Sequence, residues 1–426
     1  MNLNKLSRIV LLCIMATVST LSLTGCGLKG NPVSDDHIFA LAVQGDGKIV
    51  AVGDSYNSGG GGWKIALMRF NSDGSLDSGF GSGGKVQTPV YGSARAVAID
   101  ASGRIVVGGA MYDGSNAFVL ARYNTDGTLD ATFGSNGGVV FTLMNGGINA
   151  LAIQSDGSIV AAGNAYSYNG YSNGNDFALA RYLSSGILDP TFGAGRGVVI
   201  TDTRYYATTG NAATGVVLQP DGRIVAAGGP YLIRYNFDGS LDASFGSSGV
   251  VLGSQYDWTD GVGVQADGRI VAAGSSYNYA TQGYDFAVTR YDLSGNPDTT
   301  FNLNGYAVTT LSSLYPLSPA VVVPDTSGKI VAAGYSQYQA VITRSNSDGS
   351  SDTTFDADGS LVLPGNLWGS NSMVHKVAVQ SDGKLLVAGT VYIDDKSGYD
   401  FALQRLNSNG SPDTGFGSNG IVTAGW

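Results

Sequence analysis

The sequence predicts an all-β chain, a seven-bladed β-propeller built from seven four-stranded repeats of about 56 residues each. Three observations lead there. The first is a fixed spacing. Arg69, Arg122, Arg181, Arg234, Arg290, Arg344 and Arg405 are each followed eight residues later by an Asp: Asp77, Asp130, Asp189, Asp242, Asp298, Asp352 and Asp413. Three residues further on stands a Phe in every copy, from Phe80 to Phe416. The second is a Gly-to-Gly step of six, from Gly47–Gly53 to Gly383–Gly389, in all seven copies. The third is composition: 64 Gly, 23 Tyr, and no Glu among 33 acidic residues. Asp suits turns where Glu suits helices. A β-solenoid would need shorter, more uniform coils, and a pair of sandwiches would not repeat seven times.

In chain order, residues 1–25 read as a targeting segment. Lys5 and Arg8 precede an apolar run from Ile9 to about Leu23 that ends Leu23-Thr24-Gly25-Cys26. The run is short for a span of roughly 20 residues. It resembles the signal of bacterial lipoproteins, which implies that Cys26 is acylated and holds the chain on a membrane of the cell envelope. Gly27 after that Cys is similar to outer-membrane sorting in some bacteria. An ordinary secretory signal and a membrane helix are the alternatives. Cys13 falls in the segment to be removed, so the exported domain would hold no free thiol and no disulfide. Residues 26–36, with Pro32, read as a tether, and 37–426 as the propeller, which must be held by its core.

Turn chemistry builds each unit. In the first, Ala40–Gln44 and Lys48–Val52 flank Gly45-Asp46-Gly47, a three-residue hairpin loop with Gly in the left-handed position. A second hairpin joins Ile65–Asn71 to Ser75–Phe80 through Ser72-Asp73-Gly74. Counting outward from that loop sets Arg69 opposite Asp77, so the spacing of eight makes each Arg and Asp cross-strand neighbours without any ligand. A further apolar piece follows, such as Lys85–Thr88 or Gly138–Thr142. It either completes the outer strand or forms the crossing to the next unit.

The copy at residues 119–134 reads Val-Leu-Ala-Arg-Tyr-Asn-Thr-Asp-Gly-Thr-Leu-Asp-Ala-Thr-Phe-Gly, and the earlier half of the units stays close to Asp-Gly-Lys-Ile-Val-Ala-Ala-Gly without matching it throughout, with Ser-Gly-Lys-Ile-Val-Ala-Ala-Gly at 327–334. This pattern resembles the delta-60 repeat of bacterial exported proteins over nearly the whole exported chain. The resemblance implies a propeller and brings little function with it. Unit six departs from the pattern at Ser345 and Asp356.

Function is expected where the units differ. The first-to-second and third-to-fourth turns have fixed length and should share one face. The opposite face receives the segments between the second Gly and the Arg, whose lengths by residue number are 16, 13, 18, 6, 16, 10 and 16. Those segments hold Tyr56, Tyr112, Tyr166, Tyr168, Tyr171, Tyr277, Tyr279, Tyr284, Tyr392 and Tyr399 among Asn, Ser and Gly. Tyr335 and Tyr338 are there too, and the crossings add Tyr91, Tyr205, Tyr206, Tyr256, Trp258, Tyr315 and Trp368. Tyrosine with Ser, Gly and Asn is a composition of recognition surfaces, and a glycan, a peptide or an envelope protein would suit it. The competing reading has the same tyrosines capping blade ends and packing on one another.

Other classes find less support. A net charge of −10 with 23 cationic side chains argues against a nucleic-acid surface. His37 and His375 are the only histidines, both expected at the starts of strands. No Cys nucleophile or nucleophile elbow stands out, so the chain reads as a non-enzymatic, monomeric module with no cofactor or metal. A purely structural envelope protein is one alternative. A hydrolase or lyase acting on glycans is another, and would need an Asp pair such as Asp257 and Asp260, or Asp394 and Asp395. Asn71, Asp73 and Asp77 are spaced somewhat like a calcium loop. Units three, five and seven do not keep that set, however, and a hairpin turn needs only the Gly.

Overall fold

The computed structural model describes residues 34–57, 62–112, 117–168, 173–203, 211–253, 258–313, 318–324, 327–336, 339–364, 372–394 and 398–426. Residues 1–25 and Cys26 lie outside them. Every regular element among the described residues is a β-strand. Strands β1 (Ser34–Val43), β2 (Ile49–Asn57), β3 (Gly62–Phe70), β4 (Lys85–Ile99), β5 (Ile105–Met111), β6 (Phe118–Tyr123) and β7 (Val139–Thr142) follow one another in a seven-stranded sheet. A four-stranded sheet is made of β8 (Ile148–Ile153), β9 (Ile159–Tyr168), β10 (Asn173–Tyr182) and β11 (Val198–Thr201). Four more four-stranded antiparallel sheets span 215–252, 258–313, 318–364 and 373–424. The fold is an all-β propeller.

The local hairpins follow from their turns. Gln44 N donates to Lys48 O at 2.8 Å and Gly47 N to Gln44 O at 2.9 Å, with Gly47 at φ 84°, which closes the three-residue loop. In the second hairpin Asn71 N donates to Ser75 O at 2.8 Å, and Asp77 N to Arg69 O at 2.9 Å. Here the structure corrects the expected strand. Ser75–Phe80 does not run on as a strand: after a single bridge between Phe70 and Leu76, Phe80 N turns back onto Asp77 O at 2.9 Å. The apolar piece beyond the Phe supplies the fourth strand instead, with Leu67 opposite Val86 and Leu179 opposite Val199. In the first unit that strand also makes the crossing: β4 pairs with β3 through Lys85–Gln87 and with β5 through Gly92–Ile99. One continuous strand thereby joins two repeats into the seven-stranded sheet.

Successive units are fastened by a contact that recurs in every copy. Each repeated Arg donates from Nη1 to a turn carbonyl of the following unit: Arg69 to Thr125, Arg122 to Ser184, Arg181 to Phe237, Arg234 to Leu293, Arg290 to Ser347 and Arg344 to Ser408. Arg405 donates to Ser72 in the first unit, so the series closes on itself. The backbone N–H after each Phe repeats the link, as in Gly134 N to Ser185 O at 2.7 Å and Gly417 N to Asp73 O at 2.8 Å. The turn glycine is needed twice over. Gly186 has φ 85°, and a Cβ there would come within 2.9 Å of the Phe133 ring and of Gly134 N.

Between neighbouring units the sheet faces bury apolar side chains. Val50, Val52, Ile65 and Leu67 pack on Val107, Val119 and Ala121, and Phe177 and Leu179 pack on Ile224, Ala226 and Ile233. Both faces of the middle strands are covered, which is why Phe118–Tyr123 is buried throughout and reads as an unbroken apolar run but for Arg122. Each such Val, Ile, Leu or Phe contributes about 1.5–3 kcal/mol by leaving water. The last unit meets the first through Trp426 N, which donates to Asp36 Oδ2 at 2.8 Å, through Tyr399 N, which donates to Asp35 Oδ1 at 2.9 Å, and through Lys85 Nζ on Gly425 O.

Candidate functional site

The face of fixed turns is a structural belt of charge. Arg69 Nε donates to Asp77 Oδ2 at 2.7 Å, and the equivalent distances are 2.8 Å in Arg122–Asp130, 2.7 Å in Arg181–Asp189, 2.8 Å in Arg234–Asp242, 2.8 Å in Arg290–Asp298, 2.5 Å in Arg344–Asp352 and 2.7 Å in Arg405–Asp413. Each guanidinium also lies over the Phe three residues past its Asp, with centroid distances from 4.3 Å at Phe133 to 5.1 Å at Phe355. A second cation joins most of these carboxylates: Lys48, Arg104, Arg223, Arg269, Lys329 and Lys384 reach Asp77, Asp130, Asp242, Asp298, Asp352 and Asp413 at 2.8–3.2 Å. Sequence reasoning missed this role, although the signal was present as the Lys or Arg that follows the first-hairpin Gly. Unit three carries Ser158 there instead.

Burial alone would raise the Asp189 carboxyl, but the hydroxyl and amide of Thr191 and the Arg181 guanidinium together hold it below the usual carboxylate range. The same balance lowers Asp130, Asp242 and Asp298, and at Asp352 the Lys329 ammonium leads the lowering. At Asp77 and Asp413 the Lys48 and Lys384 ammonium groups lead the lowering. Asp73 caps its own turn, accepting from Ser75 N at 2.9 Å and Ser75 Oγ at 2.7 Å.

On the opposite face the variable segments are less loop-like than their sequence suggests. In units one, three, five and seven the second and third strands run on as long hairpins, 49–70, 159–182, 270–291 and 385–406. The aromatic residues meet across them. Tyr56 is opposite Trp63, Tyr277 opposite Tyr284 and Tyr392 opposite Tyr399, with ring centroids 5.5, 5.1 and 5.3 Å apart. Tyr279 stands edge-on to Tyr277 at 5.1 Å and is 68% exposed. Tyr168 ends β9, while Tyr171, Tyr205, Tyr206, Tyr256, Tyr315, Tyr338 and Trp368 lie outside the described residues, as do Asp257 and Asp395. Asp394 is exposed at the end of its strand. In unit four the chain turns through Gly229-Pro230, with Gly228 paired to Tyr231, which leaves that unit without a projecting hairpin.

Tyr112 and Tyr166 are placed differently. They are 49% and 43% exposed, and they flank a cleft of ≈ 530 Å³ between the second and third units. Its wall is made by Arg95, Asn145, Asn164 and Asn175 with the backbone at Gly146 and Gly147. The crossing holds its shape through Tyr166 N on Asn145 O at 2.8 Å and Asn164 N on Gly147 O at 3.2 Å. Gly147 N donates to Asn164 Oδ1 at 3.3 Å, and Asn164 Nδ2 to Asn175 Oδ1 at 3.0 Å. Arg95 comes from a bulge in β4, between Ala94 and Ala96, which turns its side chain out of the sheet alternation.

The seam between the last and first units collects the remaining titratable groups. His37 Nδ1 is 3.1 Å from Asp54 Oδ1, its ring stacks on Trp63 at 4.7 Å, and Phe39 meets the His375 ring edge at 5.5 Å. Burial, with His37 nearby, pushes His375 down to about 4. Burial also pushes Asp36 up to about 6, despite hydrogen bonds that favour its charged form, and raises Asp400. On the first strand of the seventh unit, desolvation takes Lys376 down to about 8. These groups are packed among aromatic rings and strand edges, and among the described residues no group of three or more His, Cys, Asp or Glu could hold a metal.

A family model described as a domain of unknown function (DUF5122) beta-propeller matches residues 44–80, 101–133, 154–192, 219–245, 265–301, 326–355 and 380–416. Every matched segment ends at the Phe beneath the guanidinium. No curated protein matches the chain. Among solved structures it is similar to a puromycin hydrolase, at 14% identity and a TM-score of 0.48 over 87% of this chain and 52% of that one. It is similar to a protein from Lactobacillus plantarum at 11% identity and 0.49, over 85% and 95%. A Pyrococcus horikoshii acylaminoacyl peptidase matches at 8% identity and 0.45, over 87% and 52%. The chain spans about half the length of the hydrolase and of the peptidase.

Proposed function

The chain belongs to the DUF5122 beta-propeller family, and from that premise we propose a closed, seven-bladed, lipid-anchored propeller that serves as a non-enzymatic recognition or scaffold module at the cell envelope. Seven blades follow if the seven-stranded sheet is divided at β4, whose two halves pair with different units. The Arg-to-carbonyl series that returns from Arg405 to Ser72 supports the same count.

One observation carries the recognition reading. The units are matched to within a residue or two on the face of fixed turns, yet on the other face an open polar cleft is framed by two half-exposed tyrosines. Paired tyrosines such as Tyr392 and Tyr399 have a packing role of their own, so the reading rests on Tyr112 and Tyr166, which make no ring pair among the described residues. Aromatic faces beside amide groups suit partners that stack and hydrogen-bond. Replacing Tyr166, Tyr168 and Tyr171 together by Ala is expected to leave the melting temperature nearly unchanged and to reduce binding on a glycan and peptide array. Unchanged array binding, or an unfolded variant, would make these residues blade caps.

Anchoring has its own test. Stable attachment takes two or more acyl chains, since one binds only marginally. Cys26→Ser is therefore expected to move the protein from the membrane fraction to the soluble fraction. If both forms fractionate alike, the lipid anchor is wrong.

A further inference from the structure

We infer that the cleft between the second and third units binds a carboxylate-bearing saccharide, with Arg95 receiving the carboxylate, Asn145, Asn164 and Asn175 the ring hydroxyls, and Tyr112 and Tyr166 the sugar faces. The inference rests on the recognition reading above and names its ligand class.

Arg95 is the starting point. It is exposed, and among the described residues it makes no ion pair or hydrogen bond. The repeated arginines behave oppositely: all but the partly exposed Arg344 are buried, and each holds a carboxylate, a carbonyl and a ring at once. In a chain of net charge −10, an arginine aimed by a bulge into a cleft with no acidic side chain among its described lining residues is a local reversal of sign. A guanidinium fork matches a carboxylate in two parallel hydrogen bonds.

The rest of the lining selects the kind of acid. Three Asn side chains present amide donors and acceptors in a row, already ordered by the Asn164–Asn175 bond and by Gly147 N. Asn145 has φ 51° and Gly146 and Gly147 follow it, so the crossing runs close under the cleft floor. A Cβ on Gly146 would fall 1.7 Å from Asn164 O, and one on Gly147 2.7 Å from the Ala110 side chain. Such a floor meets a polar, flat-sided ligand. An acidic peptide would want an open strand edge or an apolar pocket. Ala110 is paired on one side with Ser93 and on the other with Phe118, so β5 offers no edge. At ≈ 530 Å³ the cleft falls within the range of small-ligand sites, roughly 300–1,000 Å³.

The test is a calorimetric titration of the full chain with oligogalacturonate and with the matching neutral galacto-oligosaccharide. Oligogalacturonate is expected to bind, and the neutral sugar more weakly by about tenfold to a hundredfold, the worth of a charge-assisted pair. Arg95→Gln should erase that preference with an unchanged melting temperature, because Arg95 supports no packing. Arg95→Lys should keep part of it, a point charge without the fork. Equal binding of the two sugars overturns the inference, as does acid binding that survives in Arg95→Gln, or no binding of either sugar into the millimolar range. An array ligand that binds wild type and Arg95→Gln alike, an acidic peptide included, sinks this site while leaving recognition by the face standing. A blank array fails both.

Discussion

Arg181→Ala is expected to lower the unfolding free energy by about 3–5 kcal/mol, the usual loss when one partner of a buried charge pair is removed. Arg181 is fully buried. Its Nε holds Asp189 Oδ2 at 2.7 Å, its Nη2 holds Thr191 Oγ1 at 2.9 Å, and its Nη1 reaches the Phe237 carbonyl of the next unit. The guanidinium is also sandwiched, 4.7 Å from the Phe192 centroid and 4.3 Å from that of Phe237. Truncation therefore strands a carboxylate and a carbonyl, opens a gap between two rings, and cuts one link of the closed series. Arg181→Lys should recover only part of the loss, because one ammonium cannot serve three directions in a plane. Replacing Asp189 as well would not restore stability fully, since Phe237 O would still lack its donor. Denaturant unfolding of Arg181→Ala beside Asn169→Ala, which lies in the variable segment, measures the difference. Coincident unfolding curves would show that the pair is not a structural clamp.

The second large effect is on acid stability. Asp77, Asp130, Asp189, Asp242, Asp298, Asp352 and Asp413 all have carboxyls held below their ordinary range in the folded chain. A group with a depressed folded pKa stabilises the fold above its unfolded value, near 3.9, and that contribution is lost as pH falls through the folded value. The unfolded chain binds more protons in this window, so stability must fall with falling pH. Each carboxyl titrating there contributes up to about 1.4 kcal/mol per pH unit, and several acting together give a steep transition. Asp36 works in the opposite sense. With its folded value raised to about 6, it favours the fold more as pH drops from there toward 4. His375 opposes it over the same range, since with its folded value lowered to about 4 the unfolded imidazole takes up a proton that the folded one refuses. Calorimetric melting temperatures from pH 7 to pH 2 should therefore change little down to about pH 4–5 and then collapse. A melting temperature that stays flat through pH 3 would contradict the account.

Much of the architecture was legible because it is local. A three-residue turn with Gly at its left-handed position fixes hairpin register, and register puts residues eight apart on opposite strands. The repeated Arg and Asp could therefore be paired by counting, and the repeat itself announced a propeller. The same locality explains the error over the fourth strand. Ser75–Phe80 begins as a hairpin arm and carries a strand-like pattern, but Phe80 is drawn under Arg69 and against the Gly127 turn of the next unit. That contact bends the chain, and the strand resumes only at Lys85. Likewise Tyr277 and Tyr284 read as loop residues because Tyr, Asn and Ser occur in both loops and exposed hairpins. Only their pairing separates the two.

By itself, the sequence determined the repeat, the turn types and the partner of each arginine's Nε, since all of these are set within about 30 residues by backbone geometry. It could not determine where Nη1 goes, because that carbonyl belongs to the following unit, more than 50 residues away, and is reached only once the sheets stack. Nor could it single out Arg95, one cation among 23, as unpaired among the described residues. A bulge in β4 turned it outward, and the stacking of the second unit on the third opened a cleft in front of it. Tertiary packing decided both, because contacts between sheets depend on their twist and separation, which no short stretch of residues encodes.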